Sequence, residues 1–374
     1  MPIVIVTGLD CVADSPDLFG KRKMAKMKSA VMLAPGRIVL EDVERPEVDD
    51  DHVIVQTAGI GVCGSNLHWW RGSGTATAYW PFPIRGGGGH EYGGVVVETG
   101  KNIRRVQPGD RVAIDLFHSA SCGQCEYCAA GAFSHCAAAG QFVTPGFTEY
   151  LKLPEKGLHV LPDGIEPHLG SLIEPAATPV AALRRLGMRG GERVVVIGAG
   201  VLGLAAAGAA KALGAEKVVI TAKYDHQAAL APRFGIDAVV RSGEDAVGER
   251  LLEEVGGGGA DIVVETVGGN APTLALAADV VRHRGTVIPL GLWDEPVPVD
   301  SWKSAFKEIN YLFCLAYGQC GLKTDYRFTI DLMASGRLPL EALVTHELPL
   351  ERIADAFDVA ANKNSGSVKV VVRP

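Results

Sequence analysis

The sequence lacks several features that would point to particular classes of protein. Aromatic residues make up only 6% of the 374 residues, and a net charge of −7 leaves no basic surface for nucleic acid. The apolar run Val194–Ala210 is seventeen residues long, which is marginal for a transmembrane helix. The apolar start at Met1–Gly8 has no basic residue ahead of it, unlike a signal peptide. We therefore expect a cytoplasmic protein that binds neither nucleic acid nor membrane.

Cysteine, by contrast, is present in a dense cluster. Four of the eight cysteines lie within fifteen residues, at Cys122, Cys125, Cys128 and Cys136. In a chain without an export signal, clustered thiols favour a metal site over disulfides. Four thiolates at this spacing can enclose one tetrahedral zinc ion with no open position. An iron–sulfur cluster is the alternative, but the ferredoxin spacing with proline after the last cysteine is absent.

A second group of metal-binding residue types is spread more widely. Cys63 lies in the glycine-rich stretch Gly59–Trp70, and His90 and Glu91 follow Gly89. Thiolate, imidazole and carboxylate are the ligands that zinc prefers. With Glu91 or a later carboxylate as the third ligand, one position stays open for water or substrate, as in a catalytic zinc site. A cysteine in such a loop is more often a small buried residue, so this interpretation depends on other motifs.

A glycine-rich turn provides the next signal. Gly198, Gly200 and Gly203 follow a predicted buried strand and open a predicted alanine-rich helix. In that context the first glycine makes the turn, the second lets the backbone approach a pyrophosphate, and the third packs helix on strand. The helix N-terminus, with Val201 and Leu202, then faces the negative charge. The pattern predicts a dinucleotide site.

The type of dinucleotide depends on the residue that follows the next strand, predicted at Lys217–Thr221. An acidic side chain there would bind the ribose 2′-hydroxyl of NAD, but the position holds Ala222, followed by Lys223 and Tyr224. A small neutral residue beside a cation favours a 2′-phosphate, so we expect NADP rather than NAD. The alternatives are that Asp225 replaces the missing acid, or that Lys223 is merely solvated.

The pattern of predicted elements divides the chain. Residues 1–27 look like an extension, and residues 28–178 contain many short strands separated by Gly, Pro and Asp turns, which suggests a barrel-like β domain. Strands alternate with helices through residues 179–317, as in βαβ units on a parallel sheet. Residues 318–374 add two helices and a final strand. The fold class is α/β.

Together these motifs resemble the zinc-dependent medium-chain dehydrogenases of the alcohol and polyol type, from about residue 28 to the C-terminus. The resemblance is carried by Cys63-Gly-Ser-x-x-His68, Gly89-His90-Glu91, the four-cysteine cluster, Glu174-Pro175 and the glycine-rich turn. It implies a GroES-like catalytic domain, completed by residues 318–374 and interrupted by a Rossmann domain, with the active site in the cleft between them. Classical alcohol dehydrogenases have cysteine at the position of Glu174, whereas the sorbitol-dehydrogenase-like branch has Glu-Pro, so the polyol branch is the nearer one.

The resemblance also implies two zinc ions per chain, one catalytic and one structural. Cys63 and His90 would bind the catalytic zinc with Glu91 or Glu174, and the sequence leaves open which glutamate is the ligand. The relatives are dimers or tetramers, so a homo-oligomer is expected here too.

Further roles follow from the same resemblance. Ser65 would accept the alcohol proton and pass it through the cofactor ribose to His68, and Val267 and Leu290 would contact the cofactor. The family usually has Asp at position 66, where the carboxylate supports the zinc-bound histidine. Asn66 departs from that pattern, and we expect it to raise the basicity of the imidazole less.

We therefore expect hydride transfer between NADP and a secondary alcohol, namely a polyol, sugar or cyclitol hydroxyl. A dehydrogenase of an apolar or terpenoid alcohol is an alternative, because aromatic residues occur near the cleft. Trp69 is the first choice for the cleft wall, although core packing is an equally good interpretation of each aromatic residue. A non-catalytic NADP-binding structural protein on the same fold is another alternative. It is disfavoured because such a protein has no need of the zinc and proton-transfer residues.

Overall fold

The computed structural model describes residues 25–139, 145–243 and 245–374. Most of the predicted extension at residues 1–27 lies outside the described part. Lys26 and Met27 nevertheless begin the first strand, pairing with Glu44 and Val43 of the second. The domain boundary predicted at residue 28 is therefore two residues too late, because these residues look like part of a charged tail although their backbone joins a sheet.

The first domain consists of short strands, as predicted, with brief helices in the loops. Its strands are β1 Lys26–Ala34, β2 Arg37–Glu44, β3 Val53–Gly61, β4 Ile84–Arg85, β5 Glu91–Thr99, β6 Arg111–Ile114, β7 Tyr150–Leu153 and β8 Leu158–Val160. Its helices are α1 Gly64–Trp70, α2 Gly74–Tyr79, α3 Leu116–Ala120 and α4 Glu126–Ala129. A three-stranded sheet has the order β2-β1-β4, and β3, β5, β6 and β8 pair antiparallel within a larger sheet.

Helix α5, Ile173–Leu186, connects the two domains. It ends at Gly187, whose left-handed conformation (φ 76°) is a common helix terminator. Most of its side chains are buried in a core shared with both domains. The boundary predicted between residues 178 and 179 falls inside this helix, because a helix buried by two domains carries no compositional break.

The second domain is a doubly wound parallel sheet, which confirms the predicted α/β class. Its elements are β9 Arg193–Ile197, α6 Val201–Ala212, β10 Lys217–Ala222, α7 Asp225–Ala228, β11 Ala238–Arg241, α8 Val247–Val255, β12 Ala260–Glu265, α9 Thr273–Val280, β13 Val281–Pro289, α10 Ser301–Lys307 and β14 Asn310–Tyr311. The strand order β11-β10-β9-β12-β13-β14 is that of a Rossmann dinucleotide fold. Helix α7 is short, and a 3-10 turn follows at Ala231–Phe234, where Pro232 cannot donate a helical hydrogen bond.

The C-terminal segment returns to the first domain. It contains β15 Gln319–Cys320, β16 Lys323–Thr324, α11 Asp325–Ala334, β17 Val344–Pro349, α12 Ile353–Ala361 and β18 Lys369–Arg373. The large sheet thereby has the order β17-β18-β3-β5-β6-β8, with β7 pairing to β3. Strand β18 is antiparallel to β3, with Val371 opposite Gly61. This pairing brings a residue of the last strand, Lys369, to the residues near position 63 that are predicted to bind metal.

Among the described residues, no helix combines the length and apolar character needed to span a bilayer.

Candidate active site and metal centres

The four cysteines of the predicted structural zinc site converge. The Sγ–Sγ distance is 3.5 Å between Cys125 and Cys128, and 3.9 Å both for Cys122–Cys128 and for Cys125–Cys136. A tetrahedron with Zn–S bonds of about 2.3 Å has edges of roughly 3.8 Å, so the sulfurs already stand at the spacing that zinc requires.

Backbone N–H groups in residues 122–136, the four-cysteine lobe, donate hydrogen bonds to the sulfur atoms. The N–H of Cys122 donates to Sγ of Cys136 at 3.1 Å, and the N–H of Cys125 donates to Sγ of Cys122 at 3.3 Å. Backbone hydrogen bonds also lower the pKa of Cys125 to about 6. Such bonds favour the anionic sulfur that binds metal. The geometry and the donor set both fit a closed zinc site.

The second predicted group is assembled from two neighbouring strands. Cys63 lies two residues beyond the end of β3 and immediately before α1, and His90 immediately precedes β5. Because β3 and β5 pair antiparallel with Gly61 opposite Glu91, the two segments meet at one edge of the sheet. The ligand atoms of Cys63, His90 and Glu91 all lie within 4.8 Å of one another. Three of the four residues expected around the catalytic zinc are therefore together.

The imidazole of His90 is held in the orientation that a metal ligand needs. Its Nδ1 lies 2.8 Å from the backbone oxygen of Gly88. A carbonyl can only accept, so Nδ1 carries a proton and Nε2 is the nitrogen left for a metal. Burial lowers the pKa of His90, but the charge and hydrogen bond of Cys63 outweigh it and raise that pKa to about 10, so a metal would displace a proton from Nε2.

Asn66 does not take the place that the family resemblance suggested, because Gly88 rather than residue 66 supports the histidine. The buried Asn66 amide instead donates from Nδ2 to the Gly88 oxygen at 2.8 Å. Its Oδ1 accepts from the N–H of Cys63 at 2.9 Å. Asn66 thus ties together the two loops that carry Cys63 and His90. An aspartate carboxylate could accept from Cys63 but could not donate to Gly88, which gives the amide a physical reason to be there.

Glu91 has a partner that the sequence did not suggest. Both of its oxygens accept from Nζ of Lys369, at 2.9 and 2.6 Å, and the two side chains are 0% and 2% exposed. Nζ of Lys369 also donates to the backbone oxygen of Val62 at 3.2 Å. A Cβ at Gly61 would stand 1.8 Å from Oε2 of Glu91, so only glycine fits there. The negative charge of Glu91 is thus already balanced inside the protein.

Glu174 lies in the first turn of α5, close enough to His90 and Glu91 for their charges to act on it. Its oxygens are not within the 4.8 Å group formed by Cys63, His90 and Glu91. The pKa of Glu174 is raised to about 7, mainly by burial, with the charge of His90 lowering it and the charge of Glu91 raising it. Of the two candidate glutamates, this one lacks a buried lysine holding both oxygens, so it can change partner at lower cost.

Ser65 and His68 occupy successive turns of α1, three residues apart and therefore on one face. Nδ1 of His68 lies 3.0 Å from Oδ1 of Asp294, a residue of the Rossmann domain. Asp294 also accepts from Oγ of Ser73 at 2.7 Å, and its backbone oxygen accepts from Oγ1 of Thr75. Sequence analysis missed Asp294, because it lies 226 positions from His68 and carries no motif.

The glycine-rich turn has the geometry that its fingerprint predicts. Gly198 has φ of 102°, and a Cβ there would stand 2.7 Å from Cγ2 of Val267. A Cβ at Gly203 would stand 1.8 Å from the backbone oxygen of Gly198, whereas one at Gly200 would meet nothing within 4 Å. The helix beginning with Val201 therefore packs closely on its strand, while its N-terminus stays open for a phosphate.

The predicted determinants of the cofactor type lie at the end of β10. Ala222 is the last residue of the strand and is fully buried, and Lys223 beside it is exposed. Tyr224 stacks on His226 with ring centroids 5.5 Å apart. Asp225 is 97% exposed and accepts from Nη2 of Arg241 at 2.5 Å. Asp225, the alternative to the missing acid, is thus paired with Arg241 and points into solvent.

The remaining predicted cofactor residues border the same turn. Val267 is 47% exposed beyond the end of β12, whereas Leu290 is buried. Both lie beside Glu265, a buried carboxylate that sequence analysis missed. Its Oε1 accepts from the N–H groups of Val267 and Gly268, at 2.8 and 3.0 Å, and so fixes the loop. The sequence gives no signal for this acid, because its nearest partners are backbone N–H groups, which every residue type but proline carries.

Trp69 belongs to the hydrophobic core rather than to an open wall of the cleft. It is 9% exposed, and its ring meets that of Trp80 edge-on at 5.3 Å. Its Nε1 donates to the backbone oxygen of Ala76 at 2.9 Å. Core packing, the other interpretation of Trp69, therefore describes the indole in this structure.

Known proteins share both halves of this architecture. Residues 49–163 match the alcohol dehydrogenase GroES-like domain, and residues 201–335 match the zinc-binding dehydrogenase domain. The L-galactonate-5-dehydrogenase of Escherichia coli is 30% identical over 353 residues, which cover 93% of this chain and 99% of the relative. The sorbitol dehydrogenase of Bacillus subtilis is 29% identical over 355 residues, covering 93% and 97%.

A solved structure from Sinorhizobium meliloti, described as a zinc-binding dehydrogenase and bound to NADP, has a TM-score of 0.80 and 28% identity, covering 94% of this chain and 100% of the other. The matches extend over both domains, as the resemblance from residue 28 onward predicts. The chain therefore belongs to the zinc-dependent medium-chain alcohol and polyol dehydrogenases and is an NAD(P)-dependent enzyme of that family.

Proposed function

We propose that this enzyme transfers hydride between NADP and the secondary hydroxyl of a polyol, sugar or cyclitol, with catalysis at Cys63 and His90. The observation that carries the proposal is the convergence of Cys63, His90 and Glu91 within 4.8 Å, with His90 Nδ1 tied to a carbonyl. The names of the relatives, which act on galactonate and sorbitol, support a polyol-like substrate.

The residues of this chain divide the work of the reaction. Zinc held by Cys63 and His90 would supply Lewis-acid chemistry at a hydroxyl oxygen, and a nicotinamide would supply the hydride acceptor. Ser65 accepts the proton that the hydroxyl releases. His68, on the same face of α1, moves that proton toward solvent, and Asp294 holds its ring from the Rossmann domain.

We assign the third ligand of the catalytic zinc to Glu174 rather than Glu91. Glu91 already neutralises Lys369, and removing it from that pair would leave a buried ammonium without a counter-charge. Glu174, whose pKa is raised to about 7, loses a proton readily when a cation arrives. With the four-cysteine lobe, this gives two zinc ions per chain, one catalytic and one structural.

The preference for NADP is supported by the end of β10. Ala222 presents no carboxylate to repel a 2′-phosphate, and Lys223 next to it is exposed. Arg241 lies opposite Ala222 in the parallel pairing of β10 and β11, which places a second cation nearby. Substituting Lys223→Ala is expected to raise KM for NADP about fivefold and leave KM for NAD unchanged, since only the 2′-phosphate loses a charge partner.

We also propose a homodimer or homotetramer, in the cytoplasm. Trp302 and Phe306 of α10 are 74% and 73% exposed and stack on each other. They lie next to β14, the last strand in the order of the Rossmann sheet, and Phe313 just beyond it is 64% exposed. Apolar side chains beside a sheet edge suit a second copy of the chain. Cysteines without disulfides in the described residues are consistent with a reducing compartment.

The first experiment is a screen of NADP- and NAD-dependent oxidation over polyols, cyclitols, sugar acids and apolar secondary alcohols, with zinc counted on the same preparation. We expect turnover of a polyol-like substrate, faster with NADP, and two zinc ions bound at cysteine-containing sites. Turnover of apolar alcohols alone would overturn the substrate class. A chain that loses its bound zinc on Cys122 substitution and oxidises no alcohol would overturn the catalytic proposal.

A further inference from the structure

A third group of metal-binding side chains lies apart from both cysteine-containing sites. Asp115 follows β6 and caps α3, His118 lies within α3, and His159 lies in β8. One ligand atom from each residue lies within 4.8 Å of the other two. Oδ2 of Asp115 is 3.9 Å from Nε2 of His159. Strands β6 and β8 are antiparallel neighbours, so the sheet itself holds Asp115 and His159 together.

Each of the three residues has one buried polar atom without a hydrogen-bond partner. Oδ2 of Asp115, Nδ1 of His118 and Nε2 of His159 are all buried, and none has a hydrogen-bond partner among the residues that the structure describes. An unsatisfied buried polar atom costs about 1–3 kcal/mol, so three of them in one group of neighbouring residues require an explanation. A shared occupant at the centre of the group would satisfy all three.

The side chains are also fixed in place by their other contacts. Oδ1 of Asp115 accepts from the N–H of His118 at 2.8 Å. The ring of His118 stacks on Phe133 with centroids 4.2 Å apart, and the ring of His159 stacks on Tyr326 at 5.2 Å. These contacts fix the orientation of both rings and of the carboxyl group.

The charges around the centre favour a cation over a neutral occupant. The free oxygen of the fully buried Asp115 lies 3.9 Å from Nε2 of His159, too far for a hydrogen bond, and the negative charges of Glu174 and Asp325 also act on it. Burial raises the pKa of Asp115 to about 7 and lowers that of His118 to about 4 and of His159 to about 3. The two imidazoles are therefore neutral, with lone pairs available, and a divalent ion would restore the charge of the carboxylate.

We propose that Asp115, His118 and His159 form a third metal site, which takes a divalent transition ion such as zinc or cobalt. Two imidazoles and one carboxylate are a common ligand set for such ions. Bond lengths of about 2.0–2.2 Å place cis ligands roughly 3.0–3.6 Å apart, so the three residues must draw together slightly on binding. A bridging water is the competing occupant, and it would leave the site without metal.

Cobalt titration of the metal-stripped full-length protein tests the proposal, because each of the other two sites contains thiolate. Cobalt bound at those two sites should show intense sulfur-to-cobalt charge-transfer absorption. We expect a third equivalent, measured by elemental analysis after desalting, that adds no such absorption. Binding of only two equivalents would overturn the proposal and favour a water at the centre.

Variants assign the third equivalent to these residues. His118→Gln and Asp115→Asn should each lower the cobalt count from three to two and leave the charge-transfer absorption unchanged, which also reports that the lobe has folded. His135→Gln, an exposed histidine of the same lobe, is the matched control and should retain three. Retention of the third equivalent in both test variants would overturn the assignment. The count does not depend on activity, so it stands apart from the proposed dehydrogenase reaction.

Discussion

The four-cysteine lobe and the Cys63–His90 centre both offer ligands for zinc, yet they are built in opposite ways. The lobe takes all its ligands from fifteen residues, and its sulfurs stand 3.5–3.9 Å apart with backbone N–H groups directed at them. The other centre draws on β3, β5 and α5, and its carboxylates have further partners or a shifted pKa. The lobe offers four thiolates and leaves no position for a substrate. The Cys63–His90 centre has carboxylates that can change partner, and a catalytic metal needs such a free position.

The largest expected effect comes from replacing one cysteine in each site, which should distinguish the two sites. Cys63→Ala should lower kcat/KM by about 10³-fold or more, because a Lewis acid contributes several kcal/mol to the transition state. The thermal midpoint should change little. Cys125→Ala should instead lower the thermal midpoint strongly, because a structural zinc contributes folding energy. Steady-state kinetics and calorimetry on both variants measure this, and equal loss of stability in both would erase the distinction.

The second effect concerns the ion pair between Glu91 and Lys369 in the Cys63–His90 centre, which we call the open site. Lys369→Met should reduce the free energy of unfolding by about 3–5 kcal/mol, because Glu91 would be left as a buried charge without its partner. The double variant Glu91→Leu with Lys369→Met removes both charges and should recover most of that loss. Urea denaturation of the three proteins gives the values. A double variant as unstable as the single one would mean that the pair is needed for packing rather than for charge balance.

The lobe and the Cys63–His90 centre also differ in how much of each could be predicted from the sequence, because only the lobe is built from neighbouring residues. The lobe could be predicted from spacing, because short spacing limits where four thiols can go. The glycine-rich turn was equally local, and the absence of room for a Cβ at Gly198 and Gly203 agrees with it.

The open centre could be predicted only in part. Cys63 and His90 carry motifs, but Lys369 reaches Glu91 from 278 positions away and Asp294 reaches His68 from 226. Such partners depend on strand pairing and domain packing, which no local pattern records. The same limit explains Asn66, whose amide serves two loops instead of the imidazole.

A smaller effect is expected from the proton path of the open site. Asp294→Ala should lower kcat about tenfold with little change in KM for the alcohol, because His68 keeps its place on α1 but loses the group that orients its ring. Ser73→Ala is the matched control, since Ser73 contacts Asp294 but not the path itself, and its effect should be at most twofold. Single-turnover kinetics on both variants check this. Equal slowing by the two substitutions would show that Asp294 acts by holding the domains rather than the imidazole.

The smallest expected effect shows which glutamate is the third zinc ligand of the open site. The pKa of Glu174 is about 7, above the ordinary value of 4.5, so in the metal-free protein this carboxyl is protonated below pH 7 and its burial costs stability as pH rises from 4.5 to 7. Zinc binding must expel that proton. The affinity of the open site should therefore gain a factor of about ten per pH unit from Glu174 up to pH 7, and nothing from it above.

Competition titrations with a chelator at several pH values can isolate this contribution. In Glu174→Gln the slope of log affinity against pH should be smaller by about one below pH 7, because one proton fewer is released. Glu91→Gln should keep the wild-type slope, since Glu91 is paired with Lys369 whether or not zinc is present. If the slope changed in Glu91→Gln and not in Glu174→Gln, the ligand would be the buried ion-paired carboxylate. Binding zinc would then release Lys369, and the open site would differ from the lobe by an exchange of charges inside the protein rather than by loss of a proton.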